Sequence, residues 1–151
     1  MKILLPFDGS ASALDAVHFV IRLGSDGLNI SVVLANVQEP ASLYELVVAH
    51  DPQVIEKASA AAGTNTLKPA QVLLDGAGIP YETEVTTGDP AHTLVDILEN
   101  YGCDMVVMGA SGTSTLRSAL LGSVSNELLH AAGVPVMIVK GAAQASTDVA
   151  P

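Results

Sequence analysis

Short runs of β-branched and apolar residues alternate along this chain with longer stretches whose apolar positions recur at helical spacing. Lys2–Phe7 is apolar after its first residue, as a central strand covered on both faces requires. Asp8-Gly9-Ser10 interrupts the run, and Ser10 or Ser12 is placed to cap a helix over residues 11–24. The apolar stripe of that helix is Ala13, Leu14, Val17, Phe19, Val20 and Leu23. Gly24 and Gly27 close it, and Asn29–Val37 forms the second strand. Glu39–Gly63 is the least regular stretch, where Leu43, Leu46, Val47, Val54 and Ile55 suggest helical turns broken near Pro52. Asn65–Ala77 reads as a helix with Leu67, Ala70, Val72 and Leu73 turned to the core. Tyr81–Val85 alternates between Pro80 and Gly88, the pattern of a strand near a sheet edge. Asp89 caps a helix with Pro90 at its first position, running through Leu94, Ile97 and Leu98 to Tyr101. Asp104–Met108 is a fourth strand ending at Gly109, residues 115–131 contain a last helix, and Val134–Val139 is a fifth strand. Residues 141–151 are a tail of small residues, expected to be disordered.

This rhythm predicts an α/β fold, a doubly wound five-stranded parallel sheet with helices on both faces. No internal repeat or linker divides it, so residues 1–140 read as one domain. Ligands of such sheets bind beyond the strand carboxyl ends, where the strand order reverses. With the order 3-2-1-4-5, the first and fourth strands flank that point, and Asp8 and Gly9 face Gly109 across the crevice.

Composition narrows the function. A chain of 151 residues, 49% hydrophobic and 15% charged, supports one core and excludes disorder or a charge-laced coiled coil. Sixteen acidic residues against six basic ones give a formal charge of −10. Nucleic-acid binding and docking on anionic membranes both draw on Lys and Arg, so neither is expected. An anion must therefore be bound locally, by backbone N–H groups, hydroxyls or a metal ion. The single cysteine, Cys103, cannot form an internal disulfide. The opening apolar run breaks at Pro6, too early for a signal-peptide core. No stretch reaches the ~18 uninterrupted apolar residues of a spanning helix. A soluble cytoplasmic protein is the expectation.

One segment carries chemistry. Gly109-Ala110-Ser111-Gly112 follows the fourth strand directly, and Gly122-Ser123-Val124-Ser125 follows nine residues later. Glycines at a strand end let a ligand approach the backbone without Cβ obstruction. Free N–H groups where a helix restarts near Gly122, with the Ser123 and Ser125 hydroxyls, would cradle an anion. Taken singly, these residues read as turn glycines and a helix cap.

The spacing G-x2-G-x9-G-[ST], met by Gly109, Gly112, Gly122 and Ser123, resembles the nucleotide-binding signature of the ATP-binding branch of the universal stress proteins. The opening ILLPFDGS, the Ala35-Asn36-Val37 strand end and LLGSVSNELLHAAGVPVMIVK at 120–140 extend the resemblance over nearly the whole chain. It is weakest between Glu39 and Leu74. The resemblance implies that Asp8 contacts the nucleoside and that Pro6 and Val37 wall the adenine, with Met108 nearby. Gly109, Gly112, Gly122, Ser123, Val124 and Ser125 correspond to the ribose and phosphate binders. Sheet packing accounts equally for Pro6 and Val37, and a helix-capping role is the alternative for Asp8.

Thr113-Ser114-Thr115 follows Gly112 where the family often has a basic residue, and Arg117 is the only base in the insert. ATP is the expected ligand, with Mg²⁺ or Mn²⁺ screening its phosphates. The implied function is a stress-response regulator, a homodimer paired through Val136–Val139 that switches with nucleotide toward an unidentified protein partner. Catalysis would amount at most to slow ATP hydrolysis or autophosphorylation, and no activated base is evident for either. Two rivals stand beside this reading. One is an adenine nucleotide α-hydrolase-like enzyme, for which Asp8-Gly9-Ser10-Ala11-Ser12 is too poor in glycine. The other is an interaction module without nucleotide binding. The histidines His18, His50, His92 and His130 show no metal spacing, and Glu82 and Glu84 read as a solvated strand face.

Overall fold

The computed structural model describes residues 1–40, 48, 51–111 and 121–141. These form β1 (Lys2–Pro6), α1 (Ala11–Ser25), β2 (Ser31–Gln38), α2 (Pro52–Gly76), β3 (Tyr81–Thr87), α3 (Pro90–Asn100), β4 (Met105–Gly109), α4 (Ser123–Ala131) and β5 (Val136–Val139). The strands make one parallel sheet in the order β3-β2-β1-β4-β5, as the alternation predicts.

Strand periodicity divides the sheet into two faces. Ile3, Leu5, Phe7, Val32, Leu34 and Val107 pack with α1 and α2 on one side. Leu4, Val33, Ala35, Val106 and Met108 pack with α3 and α4 on the other. The chain steps outward through α1 and α2 and returns through α3 and α4, which right-handed crossovers require. Ile3, Leu4, Leu5 and Leu34 are wholly inaccessible to solvent, each stabilising the fold by about 1.5–3 kcal/mol.

The largest departure from the sequence expectation is α2. Pro52 does not break a helix; it occupies the first turn, behind an Asp51 cap whose side chain accepts from Gln53 N. Pro tolerates that position because its missing N–H would be unpaired there anyway. A second proline, Pro69, lies within the helix on its exposed side. Val72, expected in the core, is 69% exposed, and Leu74 is the buried residue of that turn. Gly63 is buried where α2 crosses the sheet, and a Cβ there would lie 2.8 Å from Asn36 Oδ1 and would overlap Val85. The expected turns at Leu43, Leu46 and Val47 fall outside the described residues, as does the tail beyond Gly141.

Candidate functional site

The carboxyl ends of β1 and β4 lie side by side at the reversal point. At the end of β1, Phe7 stays in the ladder by donating its N–H to Ala35 O at 2.8 Å. The chain then turns at Gly9, whose φ of 83° suits glycine. Asp8 is exposed, and its Oδ1 accepts from Ser10 N at 2.9 Å. Ser10 is the cap of α1, its Oγ accepting from Ala13 N at 3.1 Å. Asp8 therefore shapes the turn, and the capping is done by its neighbour.

Pro6 is half-buried and shares its face of β1 with Leu4. Val37, Met108 and Val124 belong to the same apolar cluster. Pro6, Val37 and Met108, expected beside the adenine, thus lie together with Val124 on one side of the sheet, the side covered by α3 and α4.

The β4 end is held by side chains from both flanking helices. Gly109 packs so closely on the first turn of α1 that a Cβ would lie 2.5 Å from Ser12 O. Ser111 N donates to Ser12 Oγ at 3.1 Å. Ser125, expected among the phosphate contacts, is buried instead, and its hydroxyl donates to Gly109 O at 3.0 Å. That hydroxyl fastens α4 to β4, because a buried hydroxyl left without a partner is costly. Gly122 N donates to Ala110 O at 2.9 Å, bringing the two ends of the insert together. Gly112, Thr113, Ser114, Thr115 and Arg117 lie outside the described residues.

The helix starts differ in one respect. Side chains of Ser10, Asp51 and Asp89 cap α1, α2 and α3, whereas Gly122 heads α4 with no side-chain bond. The opening N–H groups of a helix have no intrahelical partner. With Ser123 exposed beside it, the α4 start offers backbone donors and one hydroxyl to an anion.

Two residues that the sequence reading missed support this site. Asn36 is 4% exposed near the end of β2; its Nδ2 donates to Phe7 O at 2.9 Å and its Oδ1 accepts from Gln38 Nε2 at 2.6 Å. An amide set between Ala35 and Val37 inside a strand was the available signal. Ser12 had no signal beyond its capping potential, because its partner is distant in sequence.

Glu82 is exposed, but Glu84 is half-buried and accepts from Tyr101 Oη at 2.7 Å. The hydrogen bond to Glu84, with burial second, pushes the Tyr101 phenol up to about 12. Burial raises the Cys103 thiol, with Lys2 opposing. The His92 side chain is 93% exposed. Among the described residues, no three His, Cys, Asp or Glu side chains cluster to hold a metal. No described helix is long and apolar enough to cross a membrane. A cavity of about 240 Å³ opens at the opposite end of the sheet, lined by Ile21, Gly24, Leu28, Ile30, Ile79 and Pro80 among others. It is remote from the β1–β4 crevice.

The fold and crevice define the class, a doubly wound α/β domain with a helix start that carries no side-chain cap at its switch point. Residues 1–140 match the universal stress protein family model, and the chain belongs to that family. It is 30% identical over 145 residues to universal stress protein YxiE of Bacillus subtilis, covering 92% of this chain and 98% of the relative. Universal stress protein MJ0531 of Methanocaldococcus jannaschii is 29% identical over 139 residues, 92% of this chain and 81% of that one. Among solved structures, MJ0577 of the same organism aligns with a TM-score of 0.78 at 27% identity, covering 93% of this chain and 95% of the other. A universal stress protein in complex with cAMP aligns with a TM-score of 0.63 at 25% identity, covering 92% and 95%.

Proposed function

We propose that this chain is an adenine-nucleotide-binding regulator of the ATP-binding branch of its family, a homodimer whose partner-facing surface changes with nucleotide occupancy. The observation that carries the reading is the α4 start, the one described helix start without a side-chain cap, set against a β4 end that has no room for a Cβ at Gly109. The relative in complex with cAMP supports the ligand class. Pro6, Val37 and Met108 would face the base, Asp8 the nucleoside, and Gly109, Gly112, Gly122, Ser123 and Val124 the ribose and phosphates. For Ser125 the contact would come from its N–H, since its hydroxyl proton is engaged with Gly109 O. ATP is the proposed nucleotide, with Mg²⁺ or Mn²⁺ carried by its phosphates. Such an ion neutralises charge that a protein of formal charge −10 would otherwise repel.

The outer strand β5 is the proposed dimer contact. It is apolar, Met137 is 40% exposed, and pairing with a second copy would satisfy its outer backbone groups.

Thermal-shift titration with ATP and with cAMP, each with and without Mg²⁺, tests the nucleotide reading. Ligand at 100 times its Kd stabilises by about 2.7 kcal/mol, or about 5–10 °C in Tm for a domain of this size. Gly122→Asp separates cradle from cap. It supplies a capping carboxylate, so the free protein holds or gains stability, while the nucleotide shift disappears. Absence of any shift at millimolar nucleotide overturns the proposal.

A further inference from the structure

We infer that Ser12 is a positioning residue of the nucleotide site, a latch from the first turn of α1 that sets the backbone where β4 gives way to the glycine loop. The inference rests on the nucleotide-binding reading above and assigns a role to a residue outside its signature. Three observations converge on it. Ser12 Oγ accepts from Ser111 N at 3.1 Å, joining segments 99 positions apart. The Ser12 backbone lies against Gly109 so closely that a Cβ would sit 2.5 Å from its carbonyl oxygen. Ser12 is not needed as a cap, because Ser10 already accepts from Ala13 N.

The arrangement clamps the strand end from two sides. Ser125 Oγ donates to Gly109 O from the α4 side, and Ser12 Oγ accepts from Ser111 N on the α1 side. Ala110 N donates to Val139 O between them, and Ala110 O accepts from Gly122 N. From Gly109 to Ser111 the backbone is therefore tied on every residue. Backbone donors serve an anion only when their directions are set beforehand, and a loop that must be ordered on binding loses affinity to that ordering. Ser12 supplies the tie nearest the β1–α1 turn, so it links the part of the crevice proposed for the nucleoside to the part proposed for the phosphates.

A threonine preserves the acceptor and an alanine removes it, while neither enlarges the backbone contact with Gly109. The test compares wild type, Ser12→Ala and Ser12→Thr by amide hydrogen exchange at Ser111 and by calorimetric titration with ATP and Mg²⁺. Ser111 exchange is expected to rise about tenfold or more in Ser12→Ala and to stay near wild type in Ser12→Thr, as a lost hydrogen bond implies. ATP affinity is expected to fall about 5- to 10-fold in Ser12→Ala and to recover in Ser12→Thr. Unfolding of the free protein serves as the control for a merely structural role. If Ser12→Ala lowers Tm but binds ATP as tightly as wild type, the role given to Ser12 is overturned. Unchanged Ser111 exchange in Ser12→Ala overturns the latch itself. If wild type binds no adenine nucleotide, the failure belongs to the nucleotide reading and carries this inference down with it.

Discussion

At the amino end of the sheet, α1, α2 and α3 all stop in the same way. Leu28 N reaches back to Leu23 O, Ile79 N to Leu74 O and Cys103 N to Leu98 O, at 3.1, 3.1 and 3.0 Å. Each is the 6→1 bond of a Schellman turn. Gly78 and Gly102 sit in two of these turns with φ of 70° and 63°, and a Cβ at either would meet nothing within 4 Å. Those glycines are needed for backbone shape. At the carboxyl end the requirement is different. Gly63 and Gly109 show no positive φ, yet a Cβ at either would collide with residues from another element. At the amino end glycine makes local turns; at the carboxyl end Gly9 also makes one, with φ of 83°, but Gly63 and Gly109 serve to let distant segments touch. Cross-element polar ties occur at both ends: Ser12, Asn36 and Ser125 hold carboxyl-end backbone, while at the amino end Asp104 accepts from Lys2 N and the Lys2 ammonium donates to Tyr101 O.

The two ends are distinguished most sharply at Gly109. Gly109→Ala should destabilise by about 2–3 kcal/mol through overpacking against Ser12, measured by urea unfolding. It should also remove the nucleotide-induced Tm shift. Asn36→Ala comes next, at about 1–2 kcal/mol, because Phe7 O loses its buried donor. The nucleotide response should weaken with it, as the turn into Asp8 loosens. Gly102→Ala should cost about 1–1.5 kcal/mol, the strain of a left-handed backbone, and leave the nucleotide shift intact. If Gly102→Ala impairs binding and Gly109→Ala does not, the distinction between the two ends collapses.

A smaller effect belongs to the Tyr101–Glu84 bond. The phenol pKa is raised from 10.0 to about 12, so the folded state holds the proton more tightly than the unfolded one. The stability this contributes is present in full below about pH 10 and is lost as pH rises toward 12. Unfolding midpoints across that window should fall in the wild type and fall less steeply in Tyr101→Phe. Ultraviolet titration of the phenolates should show a late component that Tyr101→Phe removes.

Much of the fold was legible because hydrophobic periodicity reports directly which face of an element is buried. Lys2–Phe7, the 11–24 stripe and the Asp89-Pro90 helix start all correspond closely to β1, α1 and α3. Pro52 misled because the same residue ends one helix and begins another, and its neighbours Gln53, Val54 and Glu56 are all exposed, leaving no buried stripe to read. Val72 misled for a related reason: an apolar residue on a solvated helix face looks like core in sequence. The candidate site was legible in part through its glycines. Gly122 and Ser123 do stand at the start of α4, and Met108 and Gly109 at the end of β4. The destination of each hydroxyl was not legible. Ser10 caps, Ser12 holds Ser111 and Ser125 turns inward to Gly109 O, although all three are serines near helix starts.

What the sequence determined by itself was the alternation of strands and helices, the burial on both faces of β1, and the crevice these imply. Spacing within a few residues suffices for all of that, because helix and strand periods are local. Only the tertiary structure decided that α2 runs unbroken from Pro52 to Gly76 across Asn36 and Val85, and that Ser12 meets Ser111. Those outcomes depend on the separation of packed layers and on hydrogen bonds between distant residues. No pattern along the chain specifies which of several equivalent hydroxyls will find a partner there.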